Sequence, residues 1–173
     1  MDSFYALKKL LTAFEQYYTL IKQPTPPFCA EAEFRSHNEQ YFLVRSAHIA
    51  DIDSNEFVYF ADTDGLDTEK LEELVNAAWE AGLSKVRPYN GHRNSDVSLL
   101  IFTKTISQET ITTIKKTKLY KSYKFSFHGW SHFKLAVCKL PDTKTEASEI
   151  EVYTNRQGKD FIKLIKKNLK NPK

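Results

Sequence analysis

The stretch Lys118–Leu140, KLYKSYKFSFHGWSHFKLAVCKL, constrains this chain more than any other. Two runs of alternating character flank His128-Gly129-Trp130, and alternation around a glycine-containing turn is the ordinary signal of a β-hairpin. Leu119, Tyr123, Phe125 and Phe127 share one parity, and Phe133, Leu135 and Val137 share it beyond the turn. Both sets reach one face only if the loop has an odd length, because a one-residue slip moves every side chain to the other face. A three-residue loop with Gly129 at positive φ meets that condition. The opposite face then carries Lys118, Tyr120, Ser122, Lys124, Ser126, His132 and Lys134, with Lys124 facing Lys134. Like charges so opposed cost stability unless solvent or an anion relieves them.

Around this hairpin the chain reads as one α+β domain over residues 1–173. Phe4, Leu7, Leu10, Leu11, Phe14, Tyr17, Tyr18 and Ile21 fall at helical spacing over residues 3–22, and the Pro24–Pro27 joint ends that helix. Phe28–Ser36 alternates as a strand with Glu31 and Glu33 on its polar face; His37-Asn38-Glu39 reads as a turn and Tyr41–Ile52 as the returning strand. NEFVYFAD, residues 55–62, is apolar on both faces and so central in the sheet. Asp67–Ala81 is a helix capped by Asp67 or Thr68, with Trp79 in its buried stripe and Gly82 at its C-terminal αL position. Leu83–Tyr89 is read as a short strand, Asp96–Thr105 as a buried one, and Ser107 as the cap of a helix to about Lys116. Beyond the hairpin come a polar loop from Pro141 to Ser148, a strand over Glu149–Tyr153 and a basic helix within 155–173. Strand, helix, strand, strand, helix, strand over about 56–127 is the ferredoxin-like βαββαβ order, which predicts a mainly antiparallel sheet with helices chiefly on one side. The rival parse is the αβββαβ order of restriction-endonuclease-like nucleases.

The net charge of +3 hides an asymmetry: residues 1–103 hold nine Lys/Arg against sixteen Asp/Glu, and residues 104–173 hold sixteen against six. The C-terminal part therefore attracts anions, or pairs with the acidic part. Two isolated cysteines, Cys29 and Cys138, make neither a disulfide framework nor a metal or redox pair. MDSFYALKKLL lacks a signal peptide's apolar run, and no run approaches a membrane span, so a cytoplasmic location without membrane contact is expected.

YKSYKFSFHGW, the apolar strand after it and VYTNRQGKDF together resemble an uncharacterised bacterial family known only as a domain of unknown function. The resemblance runs from about Tyr41 onward and implies no activity, so no functional residue follows from it.

Enzymatic signatures are sparse. A nuclease of the rival fold needs an acid near one strand and Asp/Glu-x-Lys on the next, to hold Mg²⁺ and assist the attacking water. Asp51 or Asp53 supplies a first acid, but no lysine lies two residues after Glu56, and Asp142-Thr143-Lys144 sits in a proline-started loop. His128 and His132 flank the turn without the three or four convergent ligands that zinc requires. Nucleophile elbows and glycine-rich phosphate cradles are missing. No catalytic residue, metal or cofactor is assigned. What remains is a non-catalytic binding or accessory protein. Its contact surface would be Lys118, Tyr120, Lys124, His128, Trp130, His132 and Lys134, joined by Arg93 from the neighbouring loop. Aromatic planes among lysines suit single-stranded nucleic acid or a phosphorylated ligand. The amphipathic helix and joint of residues 1–26 offer a second surface, for a protein partner or self-association.

Overall fold

Apolar runs without alternation mark strands buried on both faces. Three of them, within 57–61, 97–102 and 133–138, form the middle of the sheet in a computed structural model that describes residues 2–35, 53–89, 92–141 and 150–169. The expected turn at 37–39, the strand over 41–52 and nearly all of the loop over 141–148 lie outside the described residues. In chain order the elements are α1 (Ser3–Phe14), β1 (Thr19–Leu20), β2 (Ala30–Arg35), β3 (Asp53–Leu66), α2 (Thr68–Lys85), β4 (His92–Ile106), α3 (Gln108–Lys116), β5 (Tyr120–Ser122), β6 (Trp130–Lys139), β7 (Glu151–Thr154) and α4 (Asp160–Leu169). The sheet runs β1-β2-β3-β4-β6-β5, and β7 also pairs with β6. β2 is antiparallel to β1 and β3, β3, β4 and β6 are parallel, and β5 and β7 are antiparallel to β6.

The α+β class holds, but the expected antiparallel βαββαβ core is replaced by a mixed sheet. The short strand read over Leu83–Tyr89 is instead the end of α2 and the coil after it, so α2 carries the chain from β3 directly to a parallel neighbour. Helices cover both faces. Leu71, Leu74 and Ala78 of α2 and Ile114 of α3 pack on Phe57, Tyr59, Val97, Leu99, Phe133 and Leu135, where Trp79 stands edge-on to Phe133 with centroids 5.9 Å apart. Leu10 and Phe14 of α1 and Phe161 and Ile165 of α4 pack on Val58, Phe60, Leu100, Phe102 and Cys138. The inner face of α1 is thus core, while Phe4 and Tyr5 stay exposed.

Boundaries moved where side chains found tertiary partners. Asp67 and Ser107 cap α2 and α3 as expected, accepting from the Lys70 and Thr110 amides. α1 stops at Phe14, not near Lys22, because Tyr18 reaches across to Glu56 and Thr19 pairs with Glu33. α4 begins at Asp160 because Asn155 is drawn into the sheet edge. The polar face expected of β2 is not an outer one: Glu31 is buried, with Lys85 Nζ 3.0 Å from it and 2.9 Å from Glu33.

Gly82 lies inside α2, not beyond its end, and the reason is close approach. A Cβ there would stand 2.4 Å from Val97 Cγ2. Gly82→Ala should therefore lower stability by about 1–3 kcal/mol as an overpacking defect, against a helix-propensity gain of roughly 1 kcal/mol. A thermal melt checks this, and adding Val97→Ala should recover most of the loss.

Candidate functional site

The β5–β6 hairpin exists with a different register. Tyr120 pairs with His132 and Ser122 with Trp130, so the connection is the seven residues from Tyr123 to Gly129. The displacement is even, and parity survives: Leu119 and Tyr123 still pack on the α2/α3 core, while Tyr120 and His132 lie together on the other face. Lys124 does not face Lys134, and Phe125 and Phe127 are not core residues. They are 95% and 81% exposed. The apolar row ends at Tyr123 and Phe133, so nothing beyond it remains for further rings to pack on.

The tip is a left-handed turn. Lys124, Phe125 and Ser126 have φ of 45°, 52° and 73°, followed by Gly129 at 80°. Non-glycine residues in this region cost roughly 1–2 kcal/mol each, so the surroundings must hold them there. Phe127 N donates to Lys124 O, His128 N to Tyr123 O, Gly129 N to Ser126 O and Tyr123 N to Gly129 O. His92, 4% exposed, lies beneath. Its Nδ1 is 2.8 Å from the His128 carbonyl, which can only accept, so Nδ1 carries a proton, and Nε2 lies 2.8 Å from Ser95 Oγ. Tyr123 Oη meets Ser131 Oγ at 2.9 Å, and Gly129 lies so close to β4 that a Cβ would be 2.2 Å from Arg93 O. His92 is thus a structural clamp. Arg93 is exposed, at a bulge where Asp53 pairs with His92 and Ser54 with Asn94.

The sheet face behind Tyr120 is not purely basic. Glu56 of β3 and Asp96 of β4 pair across the parallel register and meet Lys134 of β6, whose Nζ is 3.2 Å from Glu56 Oε1 and 2.8 Å from Asp96 Oδ2. Ser98 Oγ donates to Glu56 Oε1 at 2.6 Å and Tyr18 Oη to Glu56 Oε2 at 2.5 Å. Burial, reinforced by the Glu56 and Asp96 charges, raises the Tyr18 phenol far above its ordinary range, so it remains a donor. Burial alone would depress the Lys134 ammonium, but the two carboxylates outweigh it and hold its pKa above the usual lysine value. Lys134, expected as an anion contact, is therefore an internal counterion. Asp96 Oδ1 is buried without a hydrogen-bond partner, 4.0 Å from His132 Nδ1. The His132 ring lies 5.2 Å from that of Tyr120, which is half exposed.

These residues sort into two groups. Lys118, Tyr120 and Lys124 lie exposed along β5 and its tip, Arg93 is exposed beside the tip, and His128 and Trp130 are half-buried at the turn. Lys134 and His132 belong to the carboxylate cluster. Sequence reasoning missed Lys121, Phe125 and Phe127 as surface groups, and Glu56 with Asp96 as a pair. Ser98, interrupting the otherwise apolar run Val97–Phe102, and the acid Asp96 on the same parity just before it were the available signal for that pair. Among the described residues three strands lie between α1 and α2, but the first of them, β1, falls where the helix was expected, and the strand expected over 41–52 lies outside the described residues. The lysine beside the two acids comes from a third strand, not from an Asp/Glu-x-Lys repeat. Among the described residues no three His, Cys, Asp or Glu side chains are arranged to hold a metal ion, and no helix is long and apolar enough to cross a membrane.

No curated protein and no solved structure matches this chain. A family model does, over residues 2–167, taking in both the tip and the carboxylate cluster. The chain belongs to the family described as Domain of unknown function (DUF8052).

Proposed function

We propose that the protein is a binding module for a polyanion, which it takes along the outer edge of β5. The observation that carries this is the edge itself. Tyr120, Lys121 and Ser122 are all exposed, Lys118 and Lys124 flank them exposed, and none of the three lysines has an acidic partner within 4.0 Å among the described residues. The strong excess of Lys/Arg over Asp/Glu in residues 104–173 adds a long-range field of the same sign. Binding is favoured over hydrolysis because Glu56 and Asp96 are already committed to Lys134, Ser98 and Tyr18. The competing account of the lysines is that they guard a free edge strand against pairing with other chains.

Retention on a heparin column separates the two. The triple variant Lys118→Glu/Lys121→Glu/Lys124→Glu should elute at much lower salt than the unaltered protein. Its affinity for a nucleic acid should also depend less steeply on salt, by roughly 0.7–0.9 in the log–log slope for each phosphate it no longer neutralises. Unchanged retention with new aggregation would assign the lysines to edge protection and reject the binding reading.

A further inference from the structure

We infer that the polyanion is single-stranded nucleic acid, gripped by stacking of its bases on Phe125 and Phe127. This rests on the β5 edge being an anion-binding surface and adds the class of ligand. The two phenyl rings are the most exposed large apolar side chains of the described chain, and they do not project from a loose loop. Three consecutive non-glycine residues are held in the left-handed region by the tip's own hydrogen bonds, by the His92 clamp and by the contact of Gly129 with β4. Strained backbone that the surroundings enforce is typical of positions that present a group to a partner. The presented groups here are flat rings that lose little freedom when something stacks on them.

The order of residues points to the ligand. Lys121 and Lys124 lead into the exposed Phe125 and Phe127 at the tip, so cations and open rings lie within seven residues of one another, and Tyr120 adds a further exposed ring on the same edge. A single strand offers both together, phosphates for the cations and base faces free to stack on the rings, whereas a duplex has its faces occupied. Stacking is tolerant of base identity, so the inference carries no sequence preference. An anionic membrane is the competing partner, since aromatic groups among lysines also suit a headgroup layer. Two rings on a rigid turn offer it little apolar area.

The test compares the full chain with Phe125→Ala/Phe127→Ala and Phe125→Leu/Phe127→Leu, by fluorescence anisotropy with labelled oligo(dT) and by heparin retention. Both positions are solvent-exposed, so melting temperatures should match and folding does not confuse the result. Oligo(dT) affinity should fall at least roughly tenfold in both variants, the loss expected of removing one or two stacked bases, while heparin retention stays as it was. Equal oligo(dT) affinity in all three proteins overturns the inference and leaves the anion-binding edge standing. Failure of the unaltered protein to bind heparin overturns the edge itself. Binding to phosphatidylserine vesicles that survives in the leucine variant and is lost in the alanine variant, with oligo(dT) affinity unaffected, assigns the tip to a membrane and likewise rejects base stacking.

Discussion

Asn155→Leu should lower the melting temperature by roughly 10 °C, several kcal/mol, because one side chain satisfies four backbone groups in the interior. β6 is flanked on one edge by β5 as far as His132 and by β7 from Ala136 onward, which leaves a gap between them. Asn155, 1% exposed, fills it. Its Oδ1 accepts from Leu135 N at 3.0 Å and Gly158 N at 2.9 Å, and its Nδ2 donates to Phe133 O at 2.9 Å and Thr117 O at 3.2 Å. Leucine is of comparable size and leaves all four groups unpaired, each a desolvated donor or acceptor. Asn155→Asp retains the acceptor but turns a second oxygen toward two carbonyls, so it should melt almost as early at neutral pH. A melt of either variant within a degree or two of the unaltered protein would show that water replaces the amide without cost. The stretch VYTNRQGKDF, which carried part of the family resemblance, thus has a structural role centred on Asn155.

Lys134→Met should cost about 3–5 kcal/mol, because it leaves two largely but not fully buried carboxylates without their countercharge. Glu56 and Asp96 side chains are each 14% exposed. The triple variant Glu56→Gln/Asp96→Asn/Lys134→Met should recover most of the loss, since breaking a buried pair costs far more than replacing it whole. Denaturant melts of the single and triple variants check this, and a triple variant no better than the single one would mean the ion pairing is not what the lysine supplies. The sign of the pH dependence follows from the raised Lys134 pKa. A raised ammonium contributes stability that is complete below its unfolded value, about 10.4, and that is lost only as pH climbs through the higher folded value. Around neutral pH this lysine therefore adds no slope to the stability curve, and its contribution fades only in strong alkali.

The α2 helix as far as Ala81 and its cap, the short helix after Ser107 and the central strands were legible because each rests on local chemistry: a capping side chain, a period of 3.6, an apolar run. The hairpin was legible as a hairpin, and the parity of Leu119, Tyr123, Phe133 and Leu135 was right, because parity depends only on the loop being odd. Loop length was not legible. Glycine at 129 is compatible with a three-residue turn, and nothing within the hairpin announces that His92 and Arg93, from another strand, hold a seven-residue turn in place. Sheet direction was missed for a related reason. Runs apolar on both faces suit parallel strands, but one misassigned strand at Leu83–Tyr89 turned a direct crossover into an antiparallel order.

By itself the amino-acid sequence determined where the helices lie though not where they end, which strands are buried on both faces and which end of the chain is basic, since propensity, periodicity and charge are carried by neighbours along the chain. Only the tertiary structure decided that Phe125 and Phe127 face water, that Glu56, Asp96 and Lys134 neutralise one another, and that Asn155 closes the gap in the sheet edge. Each of these depends on the register between strands distant in sequence, and register is set by how whole layers pack.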